Sequence, residues 1–224
     1  MTKLMNADEN VPNEFYIFVN KLNPLTSHNF NLTGVFSSGA FGSLDMNPEF
    51  LSKYQKGSAN YLPYEPCEMD SMALSPYFLN VINDYRVEYD AEIFRKRYYQ
   101  FFPSRLSAIY AFGNIESCQA VNKKHGDSWS LNSVKRFRLL DNPLNRVVRV
   151  NMEHVSLLRH AYRVSALQDI DSLWRGYWSG FGNIVLELPT IGFQRKQCES
   201  GVIWEYLIEG CVQHLDHPHN NAIQ

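Results

Sequence analysis

The 224-residue chain has only four cysteines, Cys67, Cys118, Cys198 and Cys211, and none of them forms a CxxC pair. That spacing is a poor zinc pattern and a poor disulfide framework for a chain this long, so reduced thiols in a cytoplasmic protein are expected. No apolar run approaches the ~20 residues of a membrane helix, so no membrane span is predicted. The first twelve residues are polar and lack the apolar stretch of a secretory signal. Excess charge of one sign is also missing. The formal net charge is −2, which argues against a uniformly basic nucleic-acid coat and leaves room for one basic groove. There is no P-loop, no GxGxxG after a strand, no HExxH, no GxSxG and no kinase signature, so the usual hydrolase, kinase and zinc-enzyme readings have no support. No internal repeat is visible.

Hydrophobic residues make up 45% of the chain and charged residues 20%, enough for a sizeable core and one large domain. The expected organisation is a flexible segment over 1–13, a single domain over 14–213 and a polar tail over 214–224. Phe15 to Val19 is five β-favouring residues in a row, a strand buried on both faces because it does not alternate. From 23 to 75 Asn, Ser, Gly and Pro dominate. A short helix is predicted over Asn47–Tyr54; the remainder reads as a long loop, either a lid over a pocket or an insertion. Ser75-Pro76 starts a helix running to about 100. Tyr77, Val81, Tyr85, Tyr89, Ile93 and Phe94 mark its apolar face, and Glu88, Glu92, Arg95 and Arg97 a solvated one.

Pro103-Ser104-Arg105-Leu106-Ser107 then leads into a strand, Ile109–Phe112, closed by Gly113-Asn114. A helix follows over Ile115–Lys124. Val134–Leu140 and Arg146–Val150 read as two strands joined by the Asp141-Asn142-Pro143 turn, a possible hairpin. Two helices, Glu153–Tyr162 and Ile170–Tyr177, precede a strand at Ile184–Leu188 and a strong strand pattern at Val202–Val212.

Polar residues where a strand leaves a core either cap a turn or meet a ligand, and both readings apply to Ser104, Arg105 and Ser107. Glu205 sits inside an apolar β-run, where a carboxylate is costly unless paired; it is an edge residue, an arginine's partner or a catalytic group. Tyr177-Trp178 can stack on a planar ring or seal a core. The basic stripe Lys135, Arg136, Arg138, Arg146 and Arg149 can track phosphates or blunt strand edges. His214, His217 and His219 could catch a metal, or belong to a frayed terminus that needs none.

The order of these features resembles the divergent bacterial ADP-ribosyltransferase-like proteins, a group related to phage-defence toxins. The likeness spans about residues 14–213 and rests chiefly on Pro103-Ser104-Arg105-Leu106-Ser107 and Trp204-Glu205-Tyr206-Leu207. It implies an α+β fold with split antiparallel β-sheets, flanking helices and an NAD-binding cleft. By resemblance, Glu205 is the catalytic acid and Ser107 stands with it. Ser104 and Arg105 line the nicotinamide-ribose side, and Tyr177 and Trp178 form a stacking wall. Arg95 and Arg97 reach the pyrophosphate. The first strand departs from the family pattern: where members place His or Arg it reads Tyr16-Ile17-Phe18-Val19, and Tyr16 or Asn20 is the candidate for the adenosine ribose. Cleavage of the NAD glycosidic bond passes through a ribose with oxocarbenium character, which a carboxylate stabilises. The expected activity is NAD-dependent transfer of ADP-ribose to a macromolecule, nucleic acid or protein, by a toxin or defence effector with a possible antitoxin partner. The alternatives are an RNA-binding or RNA-cleaving module using the 134–149 stripe, and a non-catalytic interaction protein.

Overall fold

A computed structural model describes residues 11–19, 23–62, 85–164, 167–189 and 194–217. In chain order the described elements are β1 (Glu14–Phe18), α1 (Pro24–Leu32), β2 (Val35–Ser37), α2 (Gly39–Leu44), α3 (Pro48–Gln55), α4 (Tyr85–Tyr98), β3 (Ile109–Ala111), α5 (Ile115–His125), β4 (Val134–Leu139), β5 (Arg146–Asn151), α6 (Glu153–Val164), α7 (Leu167–Trp178), β6 (Val185–Pro189), β7 (Arg195–Glu199), β8 (Trp204–Glu209) and β9 (Cys211–His214). The fold is mixed α+β with three small antiparallel sheets. These are a four-stranded sheet in the order β1-β4-β9-β2, a three-stranded sheet in the order β3-β8-β5, and a two-stranded hairpin of β6 and β7.

The two larger sheets are joined twice. Tyr16 of β1 and Phe112, just after β3, exchange both backbone hydrogen bonds at 2.8 Å. The Val202–Val212 pattern, expected as one strand, breaks at Gly210, so that β8 belongs to one sheet and β9 to the other. Ser38 staples this crossing: its hydroxyl accepts the Gly210 N–H (3.1 Å) and its own N–H donates to the Gly210 carbonyl (2.9 Å). A side chain at 210 would place its Cβ 2.7 Å from Oδ1 of Asn145, so only glycine fits without displacement.

Phe15 and Ile17 point into a core between the sheets with Phe36, Phe137 and Val212, while Tyr16 and Phe18 pack on the other side against Phe112 and Cys118. The first strand is therefore covered on both faces. A larger core gathers helices α2, α3, α4, α6 and α7 on the three-stranded sheet around Trp174, Tyr177 and Trp178.

Three expectations are corrected. The stretch 23–62 is not a loop: it holds α1, β2, α2 and α3, anchored by buried Phe36, Ala40, Leu44, Phe50 and Tyr54. Sparse but well-placed aromatics suffice there, and the caps Ser38 and Asn47 are part of the polar composition that suggested a loop. Residues 63–84, including Cys67 and the expected helix start at Ser75-Pro76, lie outside the described residues. Second, β4 and β5 form no hairpin. β4 pairs with β1 and β9, while β5 pairs with β8. Phe137 belongs to the intersheet core, whereas Val148 and Val150 belong to the helical one, so apolar burial sends the two strands to different sheets. Third, α4 is rotated relative to the sequence reading. Tyr89 and Ile93 are exposed, and Glu88, Glu92 and Arg95 are buried beside Val87 and Ala91, whereas Phe94 is buried and Arg97 exposed as expected. Apolar periodicity misassigned this face because its carboxylates and arginine are paired inside the protein.

The packed chain also extends past 213. His214 lies against the Phe30 and Phe137 rings, and His217 is buried under Gly34. His219 lies outside the described residues. Among the described residues no group of three or more His, Cys, Asp or Glu is arranged to hold a metal ion, and no helix is long and apolar enough to cross a membrane.

Candidate active site

The turn 104–107 sits between α4 and β8 and splits its side chains between two buried charge clusters. Arg105 turns one way. Its Nε and Nη2 grip Glu88 on α4 at 2.6 and 3.0 Å, a two-pronged pair. Its Nη1 donates to the Tyr177 hydroxyl on α7 and stands 3.5 Å from Oε1 of Glu205 on β8. The Tyr110 and Tyr177 rings flank the guanidinium at 5.2 and 5.4 Å, and the Tyr110 hydroxyl donates to the Arg105 carbonyl at 2.8 Å. One cation thus serves two carboxylates brought from positions 88 and 205.

Ser104 and Ser107 turn the other way. The Ser104 hydroxyl donates to Glu92 (2.7 Å), and its N–H donates to Glu209 (3.1 Å). The Ser107 hydroxyl accepts the Ala40 N–H at the start of α2 (2.8 Å) and lies near the Glu209 carboxyl. Arg95 clasps Glu92 with Nε (2.9 Å) and Nη2 (2.7 Å), and its Nη1 donates to the carbonyls of Gln100 and Phe102 at 3.0 Å each. This inner cluster closes with Arg146, stacked on the Tyr54 ring and 3.9 Å from Glu209. Its polar groups hold α4, the 99–104 turn and β8 together.

The outer cluster opens into a cleft of about 260 Å³. Glu205 and Arg105 form its floor with Tyr110. His125 ends α5 and Trp129 lies in the turn after it; Met152 immediately precedes α6, and Val155, Ser156 and Arg159 lie on its first two turns. Phe18 of β1 braces Trp129 edge-on at 5.1 Å. Burial pushes the Glu205 carboxyl up from 4.5 to about 7; Arg105 pulls against this, and the Glu88 charge adds to it. A carboxyl poised near neutrality in a cleft lined by arginines and aromatic rings is suited to acid–base work or to stabilising positive charge.

No family model matches the chain, and no curated protein is significantly similar to it. The geometry therefore stands alone as the guide to chemistry.

Of the residues expected at a site, the structure unites Glu205, Arg105 and Tyr177, which lie up to 100 positions apart in the sequence. Ser104, Ser107 and Arg95 belong to the inner cluster, where their polar atoms are engaged with protein partners. Trp178 is fully buried against Tyr99, Phe102 and Tyr177, a core seal rather than a cleft wall. Tyr16 makes the bridge between the sheets, and Arg97 is exposed on α4 beside Tyr98. Asn20 lies outside the described residues. The basic stripe is divided: Arg136 and Arg138 are exposed on β4, Arg146 is buried in the inner cluster, and Arg149 stacks on Trp204 at 4.2 Å.

The sequence reading missed Glu88, His125, Trp129, Glu153 and Arg159. One signal was available for the last of these. Val155 and Ser156 lie four and three positions before Arg159 on α6, the spacings that put each on the same helical face as Arg159.

Proposed function

We propose that the chain is an NAD-dependent ADP-ribosyltransferase in which Glu205 is the catalytic carboxylate. The observation that carries this reading is a buried glutamate at the floor of an aromatic-lined, arginine-bearing cleft, held by a guanidinium that is itself fixed by Glu88. Glycosyl transfer from a dinucleotide needs a carboxylate against the reacting ribose, a flat apolar wall for the base and cations for the diphosphate. Glu205, Trp129 with Tyr110, and Arg159 supply these in turn. The cleft volume falls just below the ~300 Å³ at the small end of ligand pockets. It suits a nicotinamide riboside portion, with the rest of the dinucleotide extending along the open side.

NAD brings a ribose C1′ already activated by its pyridinium leaving group. Glu205 accepts a hydrogen bond from the ribose 2′-hydroxyl and stabilises the positive charge that develops at C1′. Arg105 keeps the carboxylate oriented while its other face is committed to Glu88. The Trp129 wall excludes water from the reacting face, which favours transfer over hydrolysis. The acceptor is a macromolecule, nucleic acid or protein, and a toxin or defence role with a neutralising partner follows from the resemblance of the two quoted motifs.

Calorimetry with NAD, followed by mass spectrometry of RNA and protein incubated with the chain and NAD, tests the reading. Wild type binds NAD and adds an ADP-ribose mass; Glu205→Gln binds NAD but transfers at least about 100-fold more slowly. Transfer by Glu205→Gln at the wild-type rate removes that residue from the chemistry.

A further inference from the structure

His125 closes α5, where Gly126 at φ 79° turns the chain away. Its Nε2 lies 2.7 Å from Oε1 of Glu153, a residue whose side chain is 1% exposed. The second oxygen of Glu153 is 2.5 Å from Nζ of Lys124, which also donates to the Ser200 carbonyl at 3.2 Å. The backbone of Glu153 is fixed as well. Its N–H donates to Oδ1 of Asn151 (3.1 Å), and that amide also accepts from the Ile203 N–H and donates to the carbonyls of Gly182 and Gly201. The carboxylate therefore rests on a frame tied to two other chain segments, at 182 and at 201–203, and Lys124 offsets its charge.

A carboxylate held this way sets the orientation and tautomer of a histidine: Nε2 carries the hydrogen and donates, which leaves Nδ1 as the proton acceptor. The side chain of His125 is 25% exposed, and it lines the same cleft as Glu205. The ring is thus anchored from behind and reachable from the cleft. The function assigned to Glu205 makes no use of it.

We propose that His125, positioned by Glu153, is the base that deprotonates the acceptor, and that the acceptor is a neutral O–H or N–H group rather than a carboxylate or thiolate. This rests on the ADP-ribosyl transfer reading above. The acceptor proton passes to Nδ1 of His125, and the freed electron pair forms the bond to the ribose C1′. The C1′–N1 bond to nicotinamide breaks, its electron pair stays on the ring nitrogen and cancels the pyridinium charge, and His125 then gives the proton to solvent. A nucleophile that is already anionic has no proton to surrender, so a carboxylate-anchored histidine at the cleft selects for a neutral one.

The test uses the full chain with NAD and a bacterial extract containing RNA and protein, reading NAD affinity by calorimetry and attached ADP-ribose by mass spectrometry. His125→Gln is expected to keep NAD affinity within about twofold while losing about 100-fold in transfer. Glu153→Gln is expected to lower kcat with KM for NAD unchanged. Added imidazole is expected to restore transfer to His125→Ala, an effect a purely structural histidine does not show, so absence of rescue overturns the assignment even if His125→Gln folds poorly. The wild-type adduct is expected to resist neutral hydroxylamine and mercuric ion. Rapid release by the first (a carboxylate ester) or by the second (a thioglycoside) overturns the acceptor class. Wild type that transfers while His125→Gln transfers equally well overturns the base alone. Wild type that neither binds NAD nor transfers overturns the ADP-ribosyl reading and this inference together.

Discussion

Glu205→Gln should stabilise the protein at alkaline pH while slowing the proposed transfer. The carboxyl is pushed up from 4.5 to about 7, chiefly by burial, and the attraction of Arg105 is already included in that net shift. A group whose pKa is higher in the folded than in the unfolded state contributes stability that is fully present below the unfolded value. That contribution is lost as pH rises through the folded value. From this group alone, wild type should lose on the order of 3 kcal/mol between about pH 4.5 and pH 8. Glutamine has the shape of the protonated acid and never ionises, while Arg105 keeps its two-pronged pair with Glu88. The variant should therefore match wild type near pH 4.5 and exceed it at pH 8 by up to about 3 kcal/mol. Urea denaturation at both pH values, with linear extrapolation to water, measures the difference directly. A glutamine variant less stable than wild type at pH 8, or a gap between the two that does not change with pH, refutes the reasoning.

Arg105→Met should be the opposite case. It strands Glu88 and Glu205, both nearly inaccessible, and should cost about 3–5 kcal/mol, with part recovered by adding Glu88→Gln; thermal melting of the single and double variants checks both. Gly210→Ala should cost about 1–3 kcal/mol. Its Cβ meets Oδ1 of Asn145, and that amide is held by a 2.7 Å bond from Nδ2 to the Leu140 carbonyl, so it cannot swing clear. Melting curves of this variant at one pH suffice.

The parts of the site that were legible are those whose chemistry clashes with local composition. Glu205 stands out because an acid in an apolar strand must be answered by something, and Arg105 stands out because it leads into a buried strand. Their pairing across a hundred residues follows from β3 lying beside β8, with Ile109 opposite Ile208 and Ala111 opposite Tyr206. Ser104 and Ser107 were misplaced because adjacent residues of a turn face different directions, which composition does not reveal. Glu88 and Glu92 were missed because acids and arginines at helical spacing usually mark a wet surface. The stretch 23–62 was misjudged because a few aromatic anchors outweighed its polar composition. His125 and Glu153 lie 28 positions apart, and neither carries a local signal. They meet only because the junction of β5 and α6 comes to rest beside the end of α5.

The interlocking of α4 with the turn at 104–105 has a consequence for how the cleft comes into being. An apolar helix face tolerates small shifts, since one methyl group replaces another at little cost. Glu88 and Glu92 allow no such tolerance. Sliding the helix by one residue rotates it by about 100° and takes both carboxylates away from Arg105 and Ser104. The helix is therefore seated in a single register or not seated at all. Glu88 occupies Nε and Nη2 of Arg105, so only Nη1 is turned toward Glu205. Docking of α4 diverts the guanidinium and adds a second negative charge nearby. Burial is the main source of the raised proton affinity of Glu205, and a helix more than a hundred residues away in sequence adds to it through the charge of Glu88.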